Sequence, residues 1–192
     1  TNRTSPTRVS TPTGVNFTQV SAGFGHTCGI STSGDAYCWG WNNSGQLGVG
    51  DTTLRRTPVK VSMPTAVTFT RIAAGYGHTC AVGSDGNTYC WGLNATGQLG
   101  VGDTTNRTTP AMVTMPSSVS FSAITAGHNH TCSLGSDLST YCWGGNSSGQ
   151  LGLGNTTGAS TPQVVLTPPG VSFTSVEVGL NATCGLTGDG EG

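Results

Sequence analysis

Short segments in which apolar and polar residues alternate recur along the chain. The first, residues 15–20 (Val-Asn-Phe-Thr-Gln-Val), alternates over most of its length, which is typical of a strand with one buried face. Pro58 falls in the last segment of the same stretch, where it suits an outer strand because proline cannot donate to a neighbouring strand. The first copy of the pattern predicts four short strands, at residues 15–20, 26–31, 36–41 and 57–63.

This four-strand unit is repeated with a period of 52 residues. The string Gly-Gln-Leu-Gly occurs at 45–48, 97–100 and 149–152, and no insertion breaks the register. A period near 50 with strand-like content is typical of propeller blades. We therefore expect an all-β protein, a β-propeller of four-stranded antiparallel blades with three full blades and partial blades at both ends. The repeats are expected at residues 1–52, 53–104, 105–156 and, in part, 157–192.

Seven cysteines follow the repeat as three pairs and one remainder. Cys28 and Cys38 flank a turn, and in an antiparallel hairpin centred on that turn they lie directly opposite each other. Opposed strand residues are close enough for a disulfide, whereas this spacing with no second pair fits structural zinc poorly. Cys184 has no partner within the chain. The expected disulfides are Cys28–Cys38, Cys80–Cys90 and Cys132–Cys142.

Disulfides predict an oxidising compartment, so we expect an extracellular or cell-surface protein. The chain of 192 residues contains 31 Gly, only 8% charged residues, and no apolar run near the ~18 residues of a membrane span. Its charge is lopsided. Residues 1–107 carry seven basic and four acidic side chains, net +3, and residues 108–192 carry four acidic ones, net −4. This polarity favours weak head-to-tail contact between copies.

The tryptophans are of two kinds. Trp41 does not recur, since Leu93 and Gly145 replace it, and it is expected to be an exposed contact for a sugar or a protein partner. The other three recur at one phase of the repeat, which predicts core packing between blades: Trp39, Trp91 and Trp143.

No cluster of side chains predicts catalysis. His26, His78 and His130 share one phase on successive blades, so we expect them to hold strand entries by hydrogen bonds, and His128 beside His130 makes only a weak metal pair. The aspartates recur in turns, where they bond the local backbone, and no two carboxylates are paired for acid–base chemistry. The expectation is no enzyme activity, no cofactor and no metal.

Asn-x-Ser/Thr sequons are unusually frequent, with nine present where composition alone gives about three. Two explanations stay open: glycosylation of a secreted protein, or a turn whose Asn and Ser residues are multiplied by the repeat. The candidate acceptors are Asn2, Asn16, Asn42, Asn94, Asn106, Asn129, Asn146, Asn155 and Asn181.

The motifs Ala-Gly-x-x-His-Thr-Cys, Tyr-Cys-Trp-Gly, Asn-x-x-Gly-Gln-Leu-Gly and Gly-Asp-Thr-Thr resemble the RCC1-like repeat family over essentially the whole chain. The resemblance implies a propeller, usually seven-bladed, and the paired cysteines are similar to those of secreted members. The family's namesake exchanges guanine nucleotide on a small GTPase and binds nucleosomes, but seven basic residues cannot supply the basic face that chromatin requires. No nucleic-acid partner is therefore expected. A bacterial relative that inhibits β-lactamases across one face implies a protein-binding role.

The ends of the chain fall inside blades. A lone fourth strand is expected at residues 4–10, and the sequence stops just before a fourth Tyr-Cys-Trp-Gly. Either the chain belongs to a longer polypeptide, or other copies complete the partial blades as a ring or filament.

These observations predict a non-enzymatic extracellular propeller module that binds protein or glycan partners or spaces other domains. The alternatives are a structural subunit of a glycosylated extracellular fibre or surface layer and, with little support, an enzyme whose site lies at one propeller mouth.

Overall fold

A computed structural model describes residues 4–188, and every structural statement below concerns those residues. They form fourteen strands. No helix among them has the length and apolar character of a membrane crossing. The strands are β1 Phe17–Ala22, β2 His26–Ser31, β3 Ala36–Gly40, β4 Arg55–Lys60, β5 Phe69–Ala74, β6 His78–Gly83, β7 Thr88–Gly92, β8 Arg107–Met112, β9 Phe121–Ala126, β10 His130–Gly135, β11 Thr140–Gly144, β12 Ala159–Val164, β13 Phe173–Val178 and β14 Thr183–Thr187.

The strands form three complete blades and half of another. Strands β1 to β4, β5 to β8 and β9 to β12 each make a four-stranded antiparallel sheet in chain order, and β13 pairs only with β14. The first strands β1, β5, β9 and β13 contact one another in turn, so they are the inner strands around a common axis. The fold predicted from the repeat is confirmed.

The bounds of β1 and β4 differ from the prediction by two or three residues, whereas β2 matches it and β3 ends one residue earlier. β1 runs through Ala22 because the Gly23 N–H donates to the His26 carbonyl at 2.8 Å and closes the hairpin there. β4 ends at Lys60 because the Ser62 N–H turns to the Gly48 carbonyl at 2.9 Å. Pro58 lies in β4, the outermost strand of its blade, as predicted.

The fourth strand expected at residues 4–10 is absent, and this segment has no regular structure. A fourth strand exists through its hydrogen bonds to a third strand, as β4 does through β3. Within residues 4–188 no strand pairs with this segment, so its backbone lacks a ladder that would hold it extended.

The three hairpin disulfides are present, as predicted. Cys28 and Cys38 are opposed in the β2–β3 ladder with Cα atoms 4.1 Å apart, and the other two pairs occupy the same register of their blades. All six bonded cysteines are fully buried. Each disulfide therefore joins the two central strands of a blade inside the core.

The core lies between blades. Trp91 is fully buried, stacks on Phe69 with ring centroids 5.9 Å apart, and donates from Nε1 to the Gln46 carbonyl of the preceding blade at 3.0 Å. Gly48 has φ +70, and a Cβ there would lie 2.7 Å from the indole nitrogen, so only glycine lets the loop approach so closely. Trp143 repeats this arrangement at the next junction.

Trp39 corrects the prediction that all three recurring tryptophans are core. Trp39 stacks on Phe17 at 5.7 Å but is only half-buried. In the other blades the second wall of the tryptophan site comes from the preceding blade, and within the described residues no blade precedes the first. Sequence phase identified the packing position, but burial also needs the neighbour.

Candidate functional site

The turn between the first and second strand of every blade lies at one mouth of the propeller. In each complete blade, the residue after the first glycine of this turn donates its backbone N–H to a carbonyl of the next blade. Phe24 donates to the Gly75 carbonyl at 3.2 Å, and Tyr76 donates to the Gly127 carbonyl at 3.0 Å. Gly23 is required for this approach, because a Cβ there would clash with the Gly75 carbonyl oxygen. The turns are thus locked edge to edge around the axis.

The side chains of these turns form a continuous ladder on the surface. Phe24 and Tyr76 have ring centroids 4.6 Å apart, and Tyr76 and His128 are 4.1 Å apart. Phe24 is 65% exposed and Tyr76 is 38% exposed. Leu180, the residue at the same phase in the last turn, is 64% exposed. The four side chains border a shallow depression of about 260 Å³.

Trp41 widens the ladder at the first blade. Its ring covers Gly25, where an added Cβ would lie 2.6 Å from the indole, and packs edge-on against Phe24 at 5.8 Å. The side chain is 49% exposed, which agrees with the surface position expected from its failure to recur. We call Phe24, Trp41, Tyr76, His128 and Leu180 the mouth patch.

The mouth patch combines features of a protein-binding surface. Contiguous exposed apolar side chains mark interaction sites on soluble proteins, and aromatic residues are enriched at the energetic centres of interfaces. Sequence reasoning singled out Trp41 and considered His128 only as half of a weak metal pair, so it did not recognise the ladder. The sequence did contain a signal. The phase of Phe24 and the phase of Trp41 differ from blade to blade, whereas the glycine that precedes each of them repeats.

The three repeated histidines hold the blade junctions. His26 Nε2 lies 2.8 Å from the Thr79 hydroxyl of the next blade, and that hydroxyl donates to the Gln46 carbonyl at 2.9 Å. Thr79 therefore accepts from His26, which fixes the proton on Nε2. His78 with Thr131 and His130 with Thr183 repeat the contact at 2.9 Å. The sequence predicted hydrogen bonding at strand entry, and the structure adds that each bond crosses to the next blade.

Burial keeps these imidazoles neutral. It lowers the pKa of His78 to about 3 and that of His26 and His130 to about 4. Their Nδ1 atoms are buried without a hydrogen-bond partner among residues 4–188. His130 is committed to Thr183 while His128 stacks on Tyr76 at the surface, so the two do not converge on a metal. Across the described part of the chain, no three metal-ligating side chains cluster.

Aspartates hold the loops that precede the fourth strands of the first two blades. Asp51 accepts from the Thr53 N–H at 2.8 Å and from the Arg55 guanidinium at 2.6 Å, and these contacts lower the pKa of its carboxyl group. Arg107 and Asp103 make the same ion pair in the second blade. In the third blade Asn155 takes the aspartate position and binds the Thr157 N–H at 2.8 Å. These carboxylates therefore stabilise the loops through hydrogen bonds and ion pairs.

Three sequons have a structural role in the fold. Asn94 is fully buried, its amide nitrogen donates to the Asp103 and Thr105 carbonyls, and its Oδ1 accepts from the Leu99 N–H. Asn42 and Asn146 are buried in equivalent networks. The nitrogen that would carry a sugar is thus already bonded inside the protein. Of the two explanations left open for these three sequons, the buried networks favour the turn.

The remaining sequons differ in exposure. Asn129 is half-buried at the mouth, and Asn2 lies outside the described residues. The exposed candidates are Asn16, Asn106, Asn155 and Asn181.

The four-stranded sheets and the hydrogen bonds between neighbouring blades define a bladed β-propeller. The side chains exposed at its mouth differ from one blade to the next. The profile of the Regulator of chromosome condensation (RCC1) repeat matches residues 33–82, 85–134 and 139–186. The chain belongs to the RCC1 repeat family.

Relatives and solved structures agree with this assignment. The chain is 34% identical over 182 residues to the ultraviolet-B receptor UVR8 of Arabidopsis thaliana, covering 95% of this chain and 41% of the receptor. It superposes on Prp20p of Saccharomyces cerevisiae with a TM-score of 0.82 at 24% identity, covering 95% of this chain and 45% of that one. The ectodomain of the Physcomitrella patens receptor kinase CR4 shares the fold, with a TM-score of 0.61 at 23% identity and coverage of 94% and 42%. The chain thus spans less than half the length of each.

Proposed function

We propose that this chain is a non-enzymatic, extracellular protein-binding propeller module whose partner docks on the mouth patch. The observation that carries the proposal is the exposed ladder Phe24–Tyr76–His128, extended by Trp41 and Leu180. The buried residues are nearly the same in each blade, whereas the exposed residues of the mouth patch differ. This pattern is expected when a constant scaffold presents a surface shaped for one partner. Binding, rather than catalysis, fits histidines held neutral and carboxylates engaged in turns.

A protein partner is favoured over a glycan by the chemistry of the patch. Its side chains are mostly aromatic or aliphatic carbon, and its polar groups are few: the His128 imidazole, the Tyr76 hydroxyl and the Trp41 indole N–H. Sugar sites combine an aromatic platform with several hydrogen-bonding groups, whereas apolar, aromatic clusters are typical of the centres of protein interfaces. Docking of a partner would bury the depression along with the ladder.

The extracellular location is supported by redox chemistry. Three disulfides are buried in the blade cores, and such bonds persist in oxidising compartments. The receptor ectodomain with the same fold is consistent with this location. Glycosylation at the exposed sequons is part of the proposal.

The test compares three baits in the extracellular fluid of the source: the native chain, a Trp41→Ala/Tyr76→Ala variant, and a Leu138→Ala control. Leu138 is 75% exposed in the turn between β10 and β11, at the opposite end of its hairpin from the mouth. A partner retained by the native and control baits but lost from the mouth variant supports the proposal. Its affinity is then measured in titration, before and after the partner is deglycosylated.

Two results would contradict the proposal. Equal capture by the native and mouth-variant baits would move the interface elsewhere. Loss of affinity after enzymatic deglycosylation of the partner would indicate a glycan-binding function instead.

A further inference from the structure

The third blade lacks an ion pair that the first two blades have. In the loop before β4, Asp51 Oδ1 accepts from the Thr53 N–H at 2.8 Å, and Asp51 Oδ2 accepts from the Arg55 guanidinium at 2.6 Å. Arg55 also donates to the Thr53 carbonyl at 2.8 Å. Asp103 and Arg107 make the same contacts in the loop before β8. In both blades the guanidinium therefore lies over the loop, held by the aspartate.

At these two phases the third blade has Asn155 and Ala159. Because the alanine side chain ends at Cβ, the position of the guanidinium is left open. A cavity of about 390 Å³ lies over this loop, and about 300–1,000 Å³ is typical of ligand pockets. We call it the β12 cavity. Its lining residues are Leu153, Asn155, Thr157, Gly158, Ala159, Ser160, Thr161 and Gln163.

The β12 cavity is formed within one blade. In the first two blades, the group at this position is an arginine from the fourth strand of the same blade, so a neighbouring blade does not supply it. The second blade already packs against β12, where the Gly102 N–H donates to the Ser160 carbonyl at 2.9 Å. The cavity therefore follows from alanine in place of arginine at residue 159.

The amide nitrogen of Asn155 faces the position of the missing guanidinium. Asn155 Oδ1 accepts from the Thr157 N–H at 2.8 Å, as the Asp51 Oδ1 does from its own loop. Since amide and carboxylate are planar groups of the same shape, Asn155 Nδ2 takes the place of Asp51 Oδ2, the atom that contacts arginine. It donates one hydrogen bond, to the Leu153 carbonyl at 3.3 Å, whereas the Nδ2 of Asn146 donates two. One N–H of Asn155 is thus left for substitution.

We propose that Asn155 is an N-glycosylation site whose innermost sugar, an N-acetylhexosamine, fills the β12 cavity in place of the arginine. Residues 155–157 are the sequon Asn-Thr-Thr, and Asn155 is exposed. The sugar then stabilises the loop before β12 as part of the blade. This inference rests on the extracellular location proposed above and is independent of the mouth patch.

The walls of the β12 cavity suit a saccharide. Thr157, Ser160 and Thr161 carry hydroxyl groups, which both donate and accept hydrogen bonds. Leu153 and Ala159 offer apolar contact for the carbon faces of the ring and for an acetyl methyl group. No charged side chain lines the cavity, so a neutral ligand is favoured over an ion.

Attachment requires a sugar donor of the secretory pathway, an oligosaccharide joined to a lipid through diphosphate. Asn155 Nδ2 attacks C1 of the first sugar, and the N–C1 bond forms as the C1–O bond to the diphosphate breaks. The lipid diphosphate leaves with the electron pair, and Nδ2 loses one proton. One N–H remains on Nδ2, so its hydrogen bond to the Leu153 carbonyl is retained.

The test follows enzymatic release of glycans from the folded chain after secretion from a eukaryotic host. A peptide N-glycanase is the probe, and glycopeptide mass spectrometry gives the release rate at each site. Asn106 is the matched reference, because it is an exposed sequon beside Arg107, whose guanidinium occupies this position in the second blade. We expect release from Asn155 to be roughly tenfold slower or more, since its first sugar must leave the cavity before the enzyme can act. In denatured protein the two rates should become similar.

A matched pair of variants tests the cavity itself. Ala159→Arg and Val164→Lys each restore the residue that the first blade has at that phase, and each adds one positive charge. Ala159→Arg fills the cavity and keeps the sequon, so the glycan on Asn155 should be released about as fast as that on Asn106. Val164 is exposed and lies outside the lining, so Val164→Lys should keep the slow release. The comparison of the two sites in the native chain remains decisive if Ala159→Arg fails to fold.

Three outcomes would overturn the proposal. Equal release rates at Asn155 and Asn106 in the folded native chain would mean that the sugar lies in solvent. An unmodified Asn155 in chains that carry a glycan on Asn106 would mean that the site is not used. Slow release that persists in folded Ala159→Arg would place the protection elsewhere. All three leave the extracellular location and the mouth patch standing, because those rest on the disulfides and on partner capture.

Discussion

The imidazole Nε2 of His78 lies 2.9 Å from the hydroxyl of Thr131, a residue 53 positions later in the adjoining blade. Thr131 passes the contact on by donating to the Gln98 carbonyl at 2.8 Å. Both side chains are fully buried. The Thr131 hydroxyl thus accepts from the His78 imidazole and donates to the Gln98 carbonyl. These two hydrogen bonds join neighbouring blades inside an otherwise apolar junction.

We expect Thr131→Val to destabilise the fold by about 2 kcal/mol, because it leaves the His78 donor buried and unpaired and removes one bond to the Gln98 carbonyl. Thr131→Ser keeps the hydroxyl and should lose clearly less. Urea unfolding of both variants measures the difference. Equal losses would mean that the methyl group, rather than the hydroxyl, carries the contribution.

Stability should fall as pH falls below the pKa of an unfolded histidine, 6.5, because His78 titrates only near 3 and His26 near 4 in the folded state. Between these values the unfolded chain binds more protons than the folded one. The slope should approach about 1 kcal/mol per pH unit for each buried histidine. Denaturant midpoints between about pH 5 and 7.5 avoid the carboxylates, which titrate lower.

A His78→Gln variant is the control for this pH dependence. It should have a shallower slope over the same range, since one of the neutral imidazoles is gone. An unchanged slope would assign the effect to other groups.

Removal of one hairpin disulfide by Cys80→Ala/Cys90→Ala should lower stability by roughly 2–3 kcal/mol, since the closed loop is short. Part of the loss will come from packing, because both cysteines are fully buried. Non-reducing peptide mapping should recover the pairs 28–38, 80–90 and 132–142. Free thiols at these positions in the native material would remove the argument for an extracellular location.

The tryptophans should separate into structural and surface classes. Trp91→Ala is expected to cost ~3–5 kcal/mol, because it empties a filled core site. Trp41→Ala should change stability by less than about 1 kcal/mol but weaken partner binding. Thermal unfolding of both variants checks the first part. Equal shifts in unfolding midpoint would contradict the division between a packed junction and an exposed mouth.

Expression in a eukaryotic secretory host should show which sequons carry a glycan and which do not. We expect glycans at some of the exposed positions Asn16, Asn106, Asn155 and Asn181. Asn42, Asn94 and Asn146 should stay unmodified in folded protein, since their amide nitrogens are bonded inside the loop. Glycopeptide mass spectrometry gives the occupancy of each site. A glycan on Asn94 in natively folded protein would contradict the structural role assigned to it.

The sequence predicted features that depend on neighbours within one repeat, but only some of those that depend on contact between repeats. The disulfide of Cys28 with Cys38 follows from hairpin register, so it could be derived. The incomplete burial of Trp39 could not, because its missing neighbour is another blade. Asn94 matches a glycosylation sequon equally well whether exposed or buried, and only the hydrogen bonds of its loop show its role.

The mouth patch was missed for a related reason. Phe24 and Tyr76 are 52 residues apart, and their contact depends on how the inner strands turn around the axis. Sequence phase aligns them but gives no distance.

The junction between blades is made from the same two half-sets of residues every time, one offered by each neighbour. Duplication or deletion of one 52-residue unit in the gene would therefore regenerate a working seam without compensating mutations. The number of units and the side chains at the two varied phases of the mouth can therefore change independently of each other.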